Sequence, residues 1–132
     1  MNAKSLFFVS VILLGWTTYA LGQQKPTPIY YFNPHWSSDG KTIVFESTKD
    51  GKSAIYTIYA DGSHLKKLTD SKGTDGQPRW SRDGKNIVFY SERDDHMQLY
   101  MMNADGTDQR KLTDGNDLDY LPDFSPKGDL VV

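Results

Sequence analysis

Short apolar runs alternate with turn residues along most of the chain, and this pattern repeats every 44 residues. Each repeat contains four runs rich in Ile, Val, Phe, Tyr and Thr, the residues that pleated strands favour. We therefore predict strands at residues 32–36, 42–47, 54–60 and 65–69, and again at residues 76–80, 86–91, 98–104 and 109–113. Beyond the N-terminal segment, no window shows the 3.6-residue period of an amphipathic helix.

Asp-Gly pairs separate the predicted strands at equivalent places in both repeats. Aspartate bonds to nearby backbone amides and glycine adopts positive φ, so these pairs predict tight antiparallel connections. They are Asp39-Gly40, Asp61-Gly62, Asp83-Gly84 and Asp105-Gly106. Turn chemistry also explains the Ser-x-Asp-Gly runs, which we do not interpret as a nucleophile or a calcium loop.

A third copy of the repeat begins near the end of the chain. It keeps the register of the first two at Pro122, Phe124, Ser125, Gly128, Val131 and Val132. A period of this length with four short strands is typical of a β-propeller, with one blade per repeat. We predict an all-β fold with blades at residues 32–74 and 75–118 and a partial blade at residues 119–132. Trp36, Trp80 and Phe124 share one repeat position, and we expect them to fill the space between blades.

The N-terminal segment has a different character from the repeats. Lys4 precedes an apolar run, and small residues follow at Ala20 and Gly22, which predicts a signal peptide at residues 1–22 with cleavage before Gln23. The alternative is an uncleaved membrane anchor, for which the run is short against the roughly 20 residues that span a bilayer. Residues 23–31 would then form an extended lead-in, and the protein would be periplasmic or secreted, without stable insertion in a membrane.

Composition and charge argue against disulfides, thiolate metal sites and nucleic-acid binding. The chain has no cysteine, which excludes disulfides and thiolate metal sites. Its formal charge of −2 becomes −3 when the segment containing Lys4 is removed. This mild acidity, with basic residues scattered singly, gives no electrostatic footprint for a nucleic acid.

The repeated sequence resembles the WD40-like propeller repeat of the TolB family. The resemblance is carried by Pro-x-Trp-Ser-x-Asp-Gly-Lys-x-Ile-Val-Phe-x-Ser, then Ala-Asp-Gly and Lys-Leu-Thr, at residues 34–47, 55–70, 78–91 and 99–114, with a partial copy at 122–132. It implies blades of a propeller and, for TolB itself, a periplasmic partner of the Tol-Pal envelope system. Two features depart from TolB: the first repeat follows the predicted cleavage site closely, and there are fewer blades than such propellers usually contain.

Two functions follow from this resemblance. The first is a non-catalytic scaffold that binds a protein or peptide, with no cofactor, and that self-associates to complete a ring. The second is the amino-terminal propeller of an exported serine peptidase of the prolyl-oligopeptidase type. The chain carries no Gly-x-Ser-x-Gly elbow, no phosphate loop and no His-x-x-x-His pair, so we predict no catalytic residue and no metal site.

One repeat position changes its charge while its neighbours stay constant. It is occupied by His35, Arg79 and Asp123, between the proline and the aromatic residue of each copy. The resemblance implies that this strand is the innermost of its blade, so these side chains would lie toward the axial channel. We predict a binding site there. The alternative is that this position varies because nothing constrains it.

Overall fold

The computed structural model of the protein describes residues 27–115 and 117–132. It contains eight strands: β1 Tyr31–Trp36, β2 Thr42–Ser47, β3 Ala54–Tyr59, β4 Lys66–Lys67, β5 Asp75–Trp80, β6 Asn86–Ser91, β7 Gln98–Asn103 and β8 Arg110–Lys111. The predicted signal peptide lies outside the described residues. In the described part of the chain, no helix has the length and apolar character needed to cross a bilayer.

The strands form two four-stranded antiparallel sheets, each connected in sequence order. We call β1–β4 the first blade and β5–β8 the second blade. Their registers are equivalent: Phe45 lies opposite Tyr56 in the first blade, and Phe89 lies opposite Tyr100 in the second. The prediction of four-stranded propeller blades is therefore confirmed.

The Asp-Gly turns close as the sequence predicted. Asp39 accepts hydrogen bonds from the Ser37 hydroxyl at 2.7 Å and from the Lys41 amide at 3.0 Å, and Gly40 has φ of 68°. These bonds also hold the pKa of Asp39 below its usual value, the Ser37 hydroxyl contributing most. The same contacts recur at Asp83. The carboxylates of Asp39 and Asp83 therefore stabilise their turns through local hydrogen bonds.

The strand limits differ from the prediction by one residue in β1, β3, β5 and β7, and by more in β4 and β8. Tyr31 is the first residue of β1, although we assigned it to the lead-in. The outer strands β4 and β8 are two residues long rather than five. The Thr69 hydroxyl accepts the Ile55 amide at 3.0 Å, so a side chain takes the place of a backbone acceptor where the predicted strand would have continued. Thr113 does the same for Leu99.

The principal core lies between the blades. We call the face of a blade that carries its tryptophan the front face and the opposite face the back face. The back face of the first blade packs against the front face of the second, and this cluster comprises Val44, Ile55, Leu68, Trp80, Ile87, Phe89, Tyr100 and Met102. Each blade therefore buries its apolar residues mainly through its neighbour, as expected for stacked repeats.

The expectation that all three repeated aromatic residues fill interblade space is wrong for Trp36. Trp80 is 7% exposed, whereas Trp36 is 55% exposed and Phe124 is half-buried. The physical reason is that no blade in the described part of the chain packs on the front face of the first blade. Trp36 therefore lacks the surface that the first blade supplies to Trp80.

The third copy forms a short hairpin. Phe124 and Val131 make a β-bridge, and the backbones of Asp123 and Val132 exchange two hydrogen bonds of 3.0 Å. We call residues 119–132 the third-repeat hairpin. It begins a blade at the position that the 44-residue period predicts.

Candidate functional site

The candidate site lies along the inner edge, which we define as the unpaired edge of β1 and β5 together with the third-repeat hairpin. Both strands are the first in their sheets, and each has an irregular register before its last two residues. The irregularity contains a non-glycine residue with positive φ: Asn33 at 50° and Gln77 at 53°, with Leu121 at 57° in the third copy. Such conformations are uncommon for non-glycine residues. Here the repeat places them at equivalent positions.

Gln77 connects three repeats at this edge. Its amide donates to the Glu46 Oε2 of the first blade at 2.6 Å, and its side-chain oxygen accepts the Leu121 amide at 2.7 Å. Glu46 is buried, and its carboxylate receives this backbone amide inside the blade interface. A buried carboxylate is costly unless it is hydrogen-bonded, so this contact explains how a charged residue is tolerated in β2.

Sequence analysis did not identify Glu46 or Gln77. The available signal was Glu46 itself, a charged strand residue that directly follows the apolar run Ile43-Val44-Phe45. Its counterpart in the second repeat is Tyr90. Tyr90 packs over Gly76, where a Cβ atom would come within 2.7 Å of its hydroxyl oxygen. Burial, together with the negative charge of Glu46, raises the pKa of Tyr90 to about 12.

His35 contacts the second blade directly. Its Nδ1 atom accepts the backbone amide of Trp80 at 3.1 Å, a contact between residues 45 positions apart. Burial lowers the pKa of His35 most, the positive charge of Arg79 lowers it further, and the negative charge of Asp123 acts in the opposite direction. The three predicted site residues are therefore close enough for their charges to interact.

Arg79 and Asp123 have different environments. Arg79 donates from Nη1 to the Pro78 carbonyl at 2.9 Å, and its guanidinium forms no ion pair within the described ranges. Asp123 is exposed, and its Oδ1 accepts the Phe124 amide at 2.8 Å. Since a guanidinium carries five N–H donors, Arg79 retains donors for another acceptor.

The inner edge can recognise a ligand through hydrogen bonds and charge. Arg79 offers donors to a carboxylate or a backbone carbonyl, and Asp123 offers an acceptor a short distance away. The His35 nitrogen that would act as a base already accepts an amide. Across residues 27–115 and 117–132, no three His, Asp or Glu side chains are grouped so that they could hold a metal ion.

A second surface is the exposed front face of the first blade. The ring of Tyr31 lies 5.9 Å from that of Phe45, and Phe45 and Tyr56 stack at 5.9 Å. Phe45 and Tyr56 are buried, whereas Tyr31 and Trp36 are exposed on this face. In the second blade the equivalent face is covered by the back face of the first blade.

Comparisons with known proteins agree with the architecture. The TolB beta propeller domain family matches residues 16–132. The solved structure of a TolB from Agrobacterium tumefaciens has a TM-score of 0.71 and 33% identity, over 82% of this chain and 38% of that protein. TolB from Acinetobacter baumannii has a TM-score of 0.68 and 26% identity, over 75% of this chain and 25% of that protein.

A curated relative gives the same result over a shorter stretch. The Tol-Pal system protein TolB of Syntrophus aciditrophicus (strain SB) is 38% identical over 48 residues, which are 36% of this chain and 11% of the relative. The chain thus spans well under half the length of the proteins it matches. Because the family match covers most of the chain and the two sheets have the matching architecture, the chain belongs to the TolB beta propeller domain family.

Proposed function

We propose that the protein is a non-catalytic scaffold that binds a protein or peptide in the periplasm or cell envelope, with the inner edge as its binding site. The observation that carries this proposal is the convergence of His35, Arg79 and Asp123 at one edge, where the Arg79 guanidinium has donors to spare. Membership of a family whose relative is named a Tol-Pal system protein supports a role in protein assembly.

The bound segment would lie along the inner edge and contact its side chains. The outward amides of Gln77 and Trp80 are already bonded to Glu46 and His35, so they do not pair with a partner backbone. Arg79 and Asp123 provide one donor group and one acceptor group for recognition. The affinity and the specificity would both come chiefly from these two side chains.

Site-specific photocrosslinking in a Gram-negative host tests the site. A photoreactive residue placed at position 79 should capture a partner protein, and mass spectrometry should map the crosslink to one segment of it. Position 110 is the matched control, because Arg110 lies on the outer strand β8 and is already paired with Asp108 at 2.7 Å. Equal capture at both positions, or none at position 79, would reject the inner edge as the site.

Export is tested separately. Amino-terminal sequencing of the protein recovered from that host should begin at Gln23, because the predicted signal peptide ends at Gly22. Recovery of intact Met1 in the membrane fraction would favour the uncleaved anchor. The crosslinking result does not depend on this outcome as long as the protein reaches the periplasm.

We also propose that the chain self-associates through the front face of the first blade. Exposed aromatic side chains there forfeit burial worth roughly 1.5 to 3 kcal/mol each, which a covering blade would restore. Sedimentation velocity over a range of concentrations should show association that Trp36→Gln weakens. A single monomeric species at every concentration would exclude it.

A further inference from the structure

The backbone amide of Trp80 needs an acceptor from outside its own sheet. Ser81 donates its amide to the Asn86 carbonyl of β6 at 2.8 Å. Alternate residues of a strand direct their amides to opposite sides, so the Trp80 amide points away from β6 toward the inner edge. There it meets the imidazole of His35 at 3.1 Å. A buried amide without a partner is destabilising, so this contact joins the two blades.

In the third-repeat hairpin, the amide equivalent to that of Trp80 has a different acceptor. Arg79 occupies the position of His35 in the second repeat, and a guanidinium has no acceptor atom. The equivalent amide, that of Phe124, bonds instead to the carboxylate of Asp123 at 2.8 Å. The contact between the first and second blades therefore depends on an imidazole, whose ordinary pKa lies near neutral pH, whereas the Phe124 amide is bonded within its own repeat.

The groups around His35 define what protonation would do. Arg79 of β5 places a positive charge near the imidazole, and Asp123 of the third-repeat hairpin places a negative one there. On β2, the residue opposite His35 is the uncharged Val44, and the carboxylate of Glu46 is occupied by the Gln77 amide. A protonated imidazole has only donors, so it would oppose both the Trp80 amide and the Arg79 guanidinium.

We propose that His35 makes the contact between the first and second blades sensitive to pH. Protonation of the imidazole breaks its hydrogen bond with the Trp80 amide and weakens the inner edge between these blades. This inference concerns the contact between blades and does not depend on the proposed binding function. Because burial and Arg79 lower the pKa of His35 below its usual value of 6.5, the stabilising contact is complete above about pH 6.5. It is lost progressively as the pH falls below that value.

Hydrogen exchange measured by NMR on the whole protein provides the direct test. After correction for the intrinsic rate, the Trp80 amide should lose protection as the pH falls from roughly 7.5 to 5. The Ser81 amide, which is bonded within the sheet, should keep its protection. Constant relative protection of the two amides would overturn the proposal, and this measurement requires no variant.

Substitutions then separate His35 from the other two histidines. His35→Gln supplies an amide oxygen that accepts the Trp80 amide but does not titrate, so it should remove the pH dependence of both exchange and melting temperature over this range. His64→Gln and His96→Gln are the matched controls and should retain it. Arg79→Gln removes the positive charge beside the imidazole and should shift the transition to higher pH. Retention of the wild-type pH dependence by His35→Gln would overturn the proposal.

Discussion

The two blades have the same strands in the same register, yet some equivalent residues are buried to very different extents. On the front face, Trp36 is 55% exposed and Trp80 is 7% exposed, although both occupy the same position of the repeat. On the back face the order reverses: Leu68 is 8% exposed and Leu112 is 37% exposed. The environment of a residue therefore depends on which neighbour its blade has, as well as on its place in the repeat.

This difference indicates that the packed interface between two blades, which we call the joint, contributes most of the stability of the fold. A single blade has apolar residues on both faces, so it cannot bury them alone. The joint of the first and second blades combines one back face and one front face in a continuous core. Substitutions at equivalent positions should consequently change the free energy of unfolding unequally. On the front face the larger loss should come from the second blade, and on the back face from the first.

The largest expected difference is at the tryptophans. Trp80→Ala should lower the free energy of unfolding by about 3 to 5 kcal/mol, because it leaves a cavity in the joint. Trp36→Ala should lower it by less than about 1 kcal/mol, because that side chain is largely in water. Denaturant unfolding of both variants at a concentration where the protein is monomeric measures the comparison.

Trp80→Phe sharpens this prediction. Among the described residues, the indole nitrogen of Trp80 is one of the buried side-chain atoms without a hydrogen-bond partner. Phenylalanine keeps most of the packing and removes that unpaired donor, so we expect a loss well below that of Trp80→Ala. Similar losses for Trp36→Ala and Trp80→Ala would show that the joint is not where the stability lies.

The fold was largely predictable because the repeat encodes local chemistry. Asp-Gly pairs fix the turns, and the strands between them follow from the β-branched and aromatic residues. The outer strands were predicted too long because Thr69 resembles a strand residue, yet its hydroxyl replaces a ladder acceptor. The exposure of Trp36 was missed for a different reason. Burial between blades depends on a neighbouring blade, which the sequence of one repeat does not describe.

The candidate site was only partly predictable. His35, Arg79 and Asp123 were predicted as site residues because their charge changes at a constant position, and they lie within electrostatic reach of each other. The link through Gln77 was missed because glutamine carries no signal for positive φ. Its bonds to Glu46 and Leu121 also join residues 31 and 44 positions apart, a separation that local patterns do not reveal.

At Thr69 and Thr113 we expect a smaller difference in unfolding free energy, with the larger loss in the first blade. Thr69 is 1% exposed and Thr113 is half-buried, and each hydroxyl accepts a strand amide at 3.0 Å. Thr69→Val should cost about 1 to 3 kcal/mol of unfolding free energy, because the Ile55 amide is left unpaired and buried. Thr113→Val should cost less, because water reaches the Leu99 amide more easily. A greater loss at Thr113 would contradict the assignment of the covered face.

The smallest effect on stability is expected at Arg79, next to the residue with the largest. Arg79→Ala should change the free energy of unfolding at neutral pH by no more than about 0.5 kcal/mol, because among residues 27–115 and 117–132 the guanidinium bonds only to the adjacent Pro78 carbonyl. It should nevertheless weaken capture of the bound segment, because it removes the donors that the inner edge offers to a carboxylate. Thermal unfolding of Arg79→Ala beside Trp80→Ala, with binding measured on the same samples, separates the two roles. Equal stability losses would mean that both side chains serve the joint, and that the inner edge recognises its partner through other residues.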